Sequence, residues 1–198
     1  MAARSLSELR EQEKEARRKL IIDAAERVFS EKPFNEVSIR DIAREAGISH
    51  ALIYHYFADQ QDLFVEAFMK GAQEIIDLAR RELDTGAGIE KLTGTFIVYL
   101  VEHDQYFRMM THFMLDGNLS GPFLDRLNGM ERLLFGQLER LFQGETKKGD
   151  ARLFAHALFA AMNGILITFR NYPGRSREDV TRHMQNLGGI IARQFMKE

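Results

Sequence analysis

The chain has no cysteine, which removes a disulfide framework and any thiolate metal site from consideration. It also lacks a leader-like apolar run. Met1 to Lys19 is polar and charged, which argues against a secretory signal peptide, and no later stretch reads as an uninterrupted apolar membrane span. A cytoplasmic location is therefore expected. Charge of one sign is missing too: the net charge is −2, and residues 1–57 carry ten basic and ten acidic groups. Bulk charge does not announce a nucleic-acid partner, so that case rests on which face holds Arg4, Arg10, Lys14, Arg17, Arg18, Lys19, Arg40 and Arg44. Arg4 and Arg10 read either as an arm that reaches for DNA or as a solvated tail. There is no strand-like alternation, internal repeat or low-complexity tract.

Catalytic and metal signatures are absent as well. The chain carries no GxSxG elbow and no HExxH, and Asp84–Gly88 (DTGAG) follows a helical pattern without a GK[ST] ending, so it marks a break and not a phosphate cradle. His103, His112 and Asp116 come nearest to a metal-ligand set, but only His112 and Asp116 share a helix face, and a second pair is missing. No metal, no cofactor and no enzymatic activity are expected.

What is present is 198 residues with 45% hydrophobic content, enough for one or two cores, and one stretch around which the chain is organised. Val37 to Phe57, VSIRDIAREAGISHALIYHYF, reads as two short helices joined by a tight turn. Ser38 stands at an N-cap with Asp41 three residues on as in a capping box, and Ile39, Ile42, Ala43 and Ala46 follow at helical spacing. Gly47 closes that helix, and Ser49 caps the next, which runs roughly from His50 to Phe57. Ile53, Tyr56 and Phe57 point to the core, leaving His50, Ala51, Tyr54 and His55 outward. A short helix with small, hydroxyl and imidazole groups outward suits a DNA major groove; an ordinary helical hairpin in an all-helical core is the bland alternative.

The run IRDIAREAGIS, then LIYHYF and DLFVEAF, resembles the DNA-binding region of the tetracycline-repressor (TetR) family of bacterial regulators over about Leu20 to Phe68. It departs at Lys32-Pro33, at Ala51 and at Gln60, which stands where the family usually has a lysine on a DNA phosphate. The resemblance implies DNA contacts from Ser38, Arg40, Ser49, His50, Ala51, Tyr54, His55 and Gln60, with Ser38, Tyr54 and His55 positioning on phosphates.

The remaining helices are placed by Gly, Asn and Pro punctuation near Ile89–Glu102, Asp104–Leu115, Ser120–Phe142, Asp150–Asn171 and Ser176–Lys197, after a connector helix capped by Asp59 that runs to about Leu83. The expected fold is all-α: a three-helix helix-turn-helix DNA-binding domain over 1–62, with the motif at about 38–57, then a larger helical ligand-binding and dimerisation domain over 63–198. In the family the larger domain encloses an inducer pocket, and the candidate walls are Phe96, Tyr99, Leu100, His103, Met110, Phe113, Phe135, Leu138, Met162, Asn163 and Phe169. Methionine and aromatic residues at helical spacing also read as plain core. Because no Arg or Lys cluster accompanies them, a hydrophobic or aromatic effector is expected. The family's last two helices pair with their symmetry mates, which implies a homodimer through Ala157, Ala161, Gly164, Ile165, Val180, Met184, Leu187, Ile191 and Phe195. The resulting expectation is a ligand-responsive transcriptional regulator, released as a repressor from palindromic double-stranded DNA by an unknown small molecule. A helical adaptor that binds protein, or a small-molecule enzyme, are the alternatives.

Overall fold

Pro33 stops the first helix. In the computed structural model, which describes residues 6–116, 121–142 and 150–195, α1 runs Leu6–Glu31 and a 3-10 turn at Phe34–Glu36 follows. Arg4 and the side chains of Asp116 and Phe195 lie outside the described residues. The helices after it are α2 (Ile39–Ala46), α3 (His50–Tyr56), α4 (Gln60–Asp84), α5 (Ile89–Glu102), α6 (Asp104–Asp116), α7 (Pro122–Glu139), α8 (Asp150–Phe169) and α9 (Arg177–Phe195). Among the described residues there is no strand, and the fold is all-α.

Two compact units divide the chain: Met1–Lys70 with Gln105–Arg126, and Gly71–Asp104 with Leu127–Glu198. In the first, α1 is exposed along its N-terminal half and buries Ile21, Ile22, Ala25, Val28 and Phe29, a stripe at helical spacing. Phe29, Phe34 and Phe64 pack as a trio with ring centroids 4.9 to 5.8 Å apart, and Phe113 of α6 extends it, 5.4 Å from Phe64 and 5.6 Å from Phe68. Fully burying a phenylalanine contributes about 1.5–3 kcal/mol, so this cluster holds α1, α4 and α6 together.

Charge reinforces the same unit at its edge. Glu66 of α4 accepts hydrogen bonds from both Arg18 of α1 and Arg126 of α7, and Arg126 also reaches Asp62 at 3.3 Å. Burial pushes the Glu66 carboxyl up, but the bonds from Arg126 and Arg18 outweigh it and hold the group below the usual carboxylate range. Lys70 donates to Asp23 at 2.7 Å, and although burial works to lower its pKa, Asp23 and Glu26 hold it above its ordinary value.

In the second unit, α9 lies against α5 and α8. Val180, Met184, Gly188 and Ala192, each four residues from the last, form the buried face of α9. At Gly188 a Cβ would come 2.8 Å from both Ile97 and Thr93 of α5, so only glycine allows the two helices to approach this closely. Ala155, Leu158, Met162, Ile165 and Leu166 form the inner side of α8. Its outer side is also apolar: Leu153, Ala157, Ala160, Gly164 and Ile167 are exposed at spacings of four, three, four and three. By length and composition α8 would pass for a membrane span, although Asp150, Arg152, His156 and Asn163 interrupt its apolar run. Apolar residues on both sides of a helix are also what two protein neighbours would require.

Candidate nucleic-acid interface and effector site

The helix-turn-helix is built by local chemistry. Ser38 Oγ accepts the backbone N–H of Asp41 at 3.2 Å, while Asp41 Oδ2 accepts the backbone N–H of Ser38 at 3.1 Å and its hydroxyl at 2.7 Å. The Ser38 hydroxyl first, then its N–H, hold the Asp41 carboxyl below its usual range. At the other end of α2, Gly47 adopts φ +68°, a left-handed conformation that side-chain-bearing residues resist, and the Ile48 N–H closes onto the Ala43 carbonyl at 3.0 Å. Ser49 then caps α3 by accepting the Leu52 N–H at 3.3 Å. Ile53 and Phe57 are buried beneath α3, and Arg18 stands over the Phe57 ring at 5.4 Å.

The opposite side of α3 is open. Ser49, His50, Ala51, Tyr54 and His55 are exposed, as are Ser38 and Arg40. Tyr56, expected to be inward, is half-buried and meets the His55 ring edge-on at 5.3 Å. Gln60 is half-buried at the start of α4. Its Nε2 donates to the Phe34 carbonyl at 2.9 Å, so the amide ties the start of α4 to the turn after α1. That bond uses one of the two N–H groups of the amide.

The proposed effector residues fall in both units. Met110 is buried and Phe113 half-buried in the first unit. In the second, Phe96, Phe135 and Phe159 make edge-to-face contacts, with Phe159 lying 6.1 Å from Phe96 and 5.4 Å from Phe135. Leu100, Leu138 and Met162 are buried in the same unit. Asn163 is buried; its Nδ2 donates to the Phe159 carbonyl at 2.9 Å, but its Oδ1 has no partner among the described residues. One helical face away by seven residues, His156 packs on the Phe135 ring at 4.1 Å with its Nε2 buried and likewise unpartnered. A buried polar atom without a partner costs about 1–3 kcal/mol, and Gln61 Oε1 of the first unit shares that condition among the described residues. The sequence reading missed His156; its signal was the i,i+7 relation to Asn163.

Three other expected walls lie apart from this group. Tyr99 and His103 stack on each other at 4.1 Å; His103 is exposed, and the Tyr99 hydroxyl donates to Glu74 at 2.7 Å. Phe169 packs on Tyr172 and His183 at the end of α8, ten residues or ~15 Å of helix beyond Phe159.

The expected dimer stripe also splits. Ile165 of α8 and Val180 and Met184 of α9 are buried by their own unit, the latter two at a four-residue spacing on the inner face of α9. Ala157 and Gly164 are exposed and Ala161, Leu187 and Ile191 are half-buried. The large exposed apolar groups nearby are Leu153, Ile167 and Ile190. Among the described residues no cluster of His, Cys, Asp or Glu could hold a metal ion.

A capped helix-turn-helix with an open second helix, set in an all-α chain, defines a DNA-binding transcriptional regulator. The family model for "Bacterial regulatory proteins, tetR family" matches residues 21–67, the stretch that holds the helix-turn-helix. The chain is 29% identical to an HTH-type transcriptional regulator of Haemophilus influenzae over 103 residues, half the length of each protein. It is 29% identical to the HTH-type transcriptional regulator BetI of Cronobacter sakazakii, covering 75% of this chain and 77% of that one. The fold matches that of the transcriptional regulator FadR of Bacillus subtilis, solved in complex with stearoyl-CoA, with a TM-score of 0.66 and 20% identity over 86% of this chain and 96% of the other.

Proposed function

We propose that the chain acts as a homodimeric, cytoplasmic repressor that binds a palindromic duplex through α3 and leaves it when a small apolar molecule enters the larger domain. The observation that carries the reading is the exposed face of α3, where His50, Ala51, Tyr54 and His55 project beside the capped start of α2. Small Ala51 lets the helix approach bases closely, the hydroxyls of Ser49 and Tyr54 donate to phosphates, the Ser38 hydroxyl does so on turning away from Asp41, and His50 and Arg40 reach base edges. Residues 1–62 serve DNA and 63–198 serve ligand and assembly. Gln60 supports α4 from within and adds little to phosphate binding.

The second chain packs on the outer side of α8 and α9, where Ala157 and Gly164 permit close approach and Leu153, Ile167 and Ile190 supply apolar area. Two-fold symmetry then sets the readers one DNA turn apart, ~34–36 Å, or a multiple of it. The effector sits among Phe96, Phe135, Phe159 and Met162, and a polar group on it bonds to Asn163 Oδ1 and His156 Nε2. A long-chain acyl group of the kind carried by the stearoyl-CoA on the Bacillus subtilis FadR has this character. No catalytic role is assigned to any residue.

Selection of bound duplexes from random DNA tests the reading. A two-fold symmetric site, bound in a salt-sensitive way and lost on replacing His50 and Tyr54 together by alanine, is expected. Equal affinity of parent and double variant for the selected site would overturn it.

A further inference from the structure

The turn between α8 and α9 gathers cations that no expectation from the sequence assembled. An open cavity of about 550 Å³ is lined there by Arg170, Arg175, Arg177, Asn171, Tyr172 and Thr181, over an apolar floor of Val101, Val180 and Met184. That volume lies within the range of small-molecule sites. Asp104 is the one carboxylate on its wall, and it is engaged by Arg170. Arg177 donates through Nη2 to the Val101 carbonyl at 2.6 Å, which fixes its guanidinium at the cavity edge. Arg175 makes no hydrogen bond or ion pair among the described residues, and it also lines a neighbouring hollow of about 180 Å³ with Tyr172, Asp179, Val180 and His183. Asp179 is already committed there to the Ser176 hydroxyl at 2.7 Å and to Arg182 at 3.7 Å. Tyr172 is 48% exposed and rests its ring on Phe169, with centroids 6.2 Å apart.

We infer that this cavity binds a phosphorylated small molecule with a flat ring, of the nucleotide type. Each element on the page has a part in that chemistry. Guanidinium groups present forked donors that match phosphate oxygens, and three of them with a single engaged carboxylate leave a cationic excess. The exposed Tyr172 ring offers a stacking face, and Asn171 and Thr181 supply hydrogen bonds at the rim. The apolar floor receives the ring edge. A simple inorganic anion would use the arginines alone and leave the tyrosine and the floor idle. The inference goes beyond the repressor reading and does not need it, since binding here is measured without DNA.

Titration calorimetry of the full chain with ADP, adenosine and inorganic phosphate tests it. ADP is expected to bind, with adenosine and phosphate each at least tenfold weaker. Arg175→Glu, a change at an exposed and unpartnered side chain that leaves the helical circular dichroism and melting temperature in place, should weaken ADP by tenfold or more. Tyr172→Ala should weaken ADP while leaving phosphate unchanged. Absence of ADP binding at about 1 mM, a weak affinity by any standard, would overturn the inference, as would ADP binding that ignores Arg175→Glu. If Arg175→Glu instead weakened duplex binding and spared ADP, the arginines would be a DNA-backbone contact and the nucleotide site would fall.

Discussion

The two units solve opposite problems. In the first, the Phe29, Phe34 and Phe64 rings form a closed core, local bonds satisfy the caps of α2 and α3, Gln61 Oε1 is the buried oxygen left without a partner among the described residues, and α3 keeps an exposed set of polar side chains. In the second, Asn163 Oδ1 and His156 Nε2 are buried without partners, while Leu153, Ile167 and Ile190 stand in water. On the proposed function, the first unit reads its partner through its surface, whereas a ligand or a second chain that covered the open groups of the second would stabilise it and so bias its conformation.

The sharpest way to break this contrast is to damage the self-sufficient unit. Phe64→Ala removes the ring shared by Phe29, Phe34, Phe68 and Phe113. A loss of about 3–5 kcal/mol is expected from such a truncation, seen as a large drop in the denaturant midpoint and loss of duplex binding. Next in size, Ile167→Glu with Ile190→Glu places two charges on the exposed apolar side of the second unit. Sedimentation should shift from dimer to monomer at micromolar concentration while circular dichroism stays unchanged; a dimer that persists would place the interface elsewhere.

Asn163→Leu sharpens the comparison from the inside. Replacing a buried, half-satisfied amide by an apolar side chain of similar volume should raise the thermal midpoint of the free protein by the equivalent of about 1 kcal/mol, and at the same time abolish the response to an effector. The same kind of change in the first unit does the reverse. Ser38→Ala removes the α2 cap and should cost about 1 kcal/mol at neutral pH. Asp41 is held below its usual 3.8 by Ser38, so its ionised form favours the folded state above that value. The advantage is lost as the pH falls through the lowered pKa, and the difference between parent and Ser38→Ala should shrink there. Equal costs at neutral and strongly acid pH would show that the carboxylate plays no part in the cap. The smallest effect belongs to Tyr54→Phe, which should weaken all duplexes alike by about 0.5–1.5 kcal/mol, the range of a single hydrogen bond.

Much of the first unit was legible because its signals are local. Ser38 with Asp41, Gly47 and Ser49 each act within four residues, and every one of them takes the conformation or bond their spacing implied. The same held for α5, whose limits at Ile89 and Glu102 were set by the Gly88 break and the apolar period. What escaped was long-range. The sequence showed that Val180, Met184 and Ile191 share a stripe but not which side α5 would claim, and Gly188 rather than any large residue decided it. Nor did three arginines spaced along a turn look like a cluster until helices α8 and α9 folded back on each other. Gln60 is long-range in the same way: nothing local shows that its amide bonds the Phe34 carbonyl twenty-six residues upstream.

Gly188 has one further consequence. With Ile97 and Thr93 filling the space where its side chain would be, α9 is keyed to α5 like a notch on a tooth. Sliding by a fraction of a turn would drive the Gln185 or Ala192 side chain toward that tooth, so the register of the pair is stepwise, and intermediate positions are closed to it. A displacement of α9 at this contact therefore carries α5 with it, and the two helices are tied there as one piece.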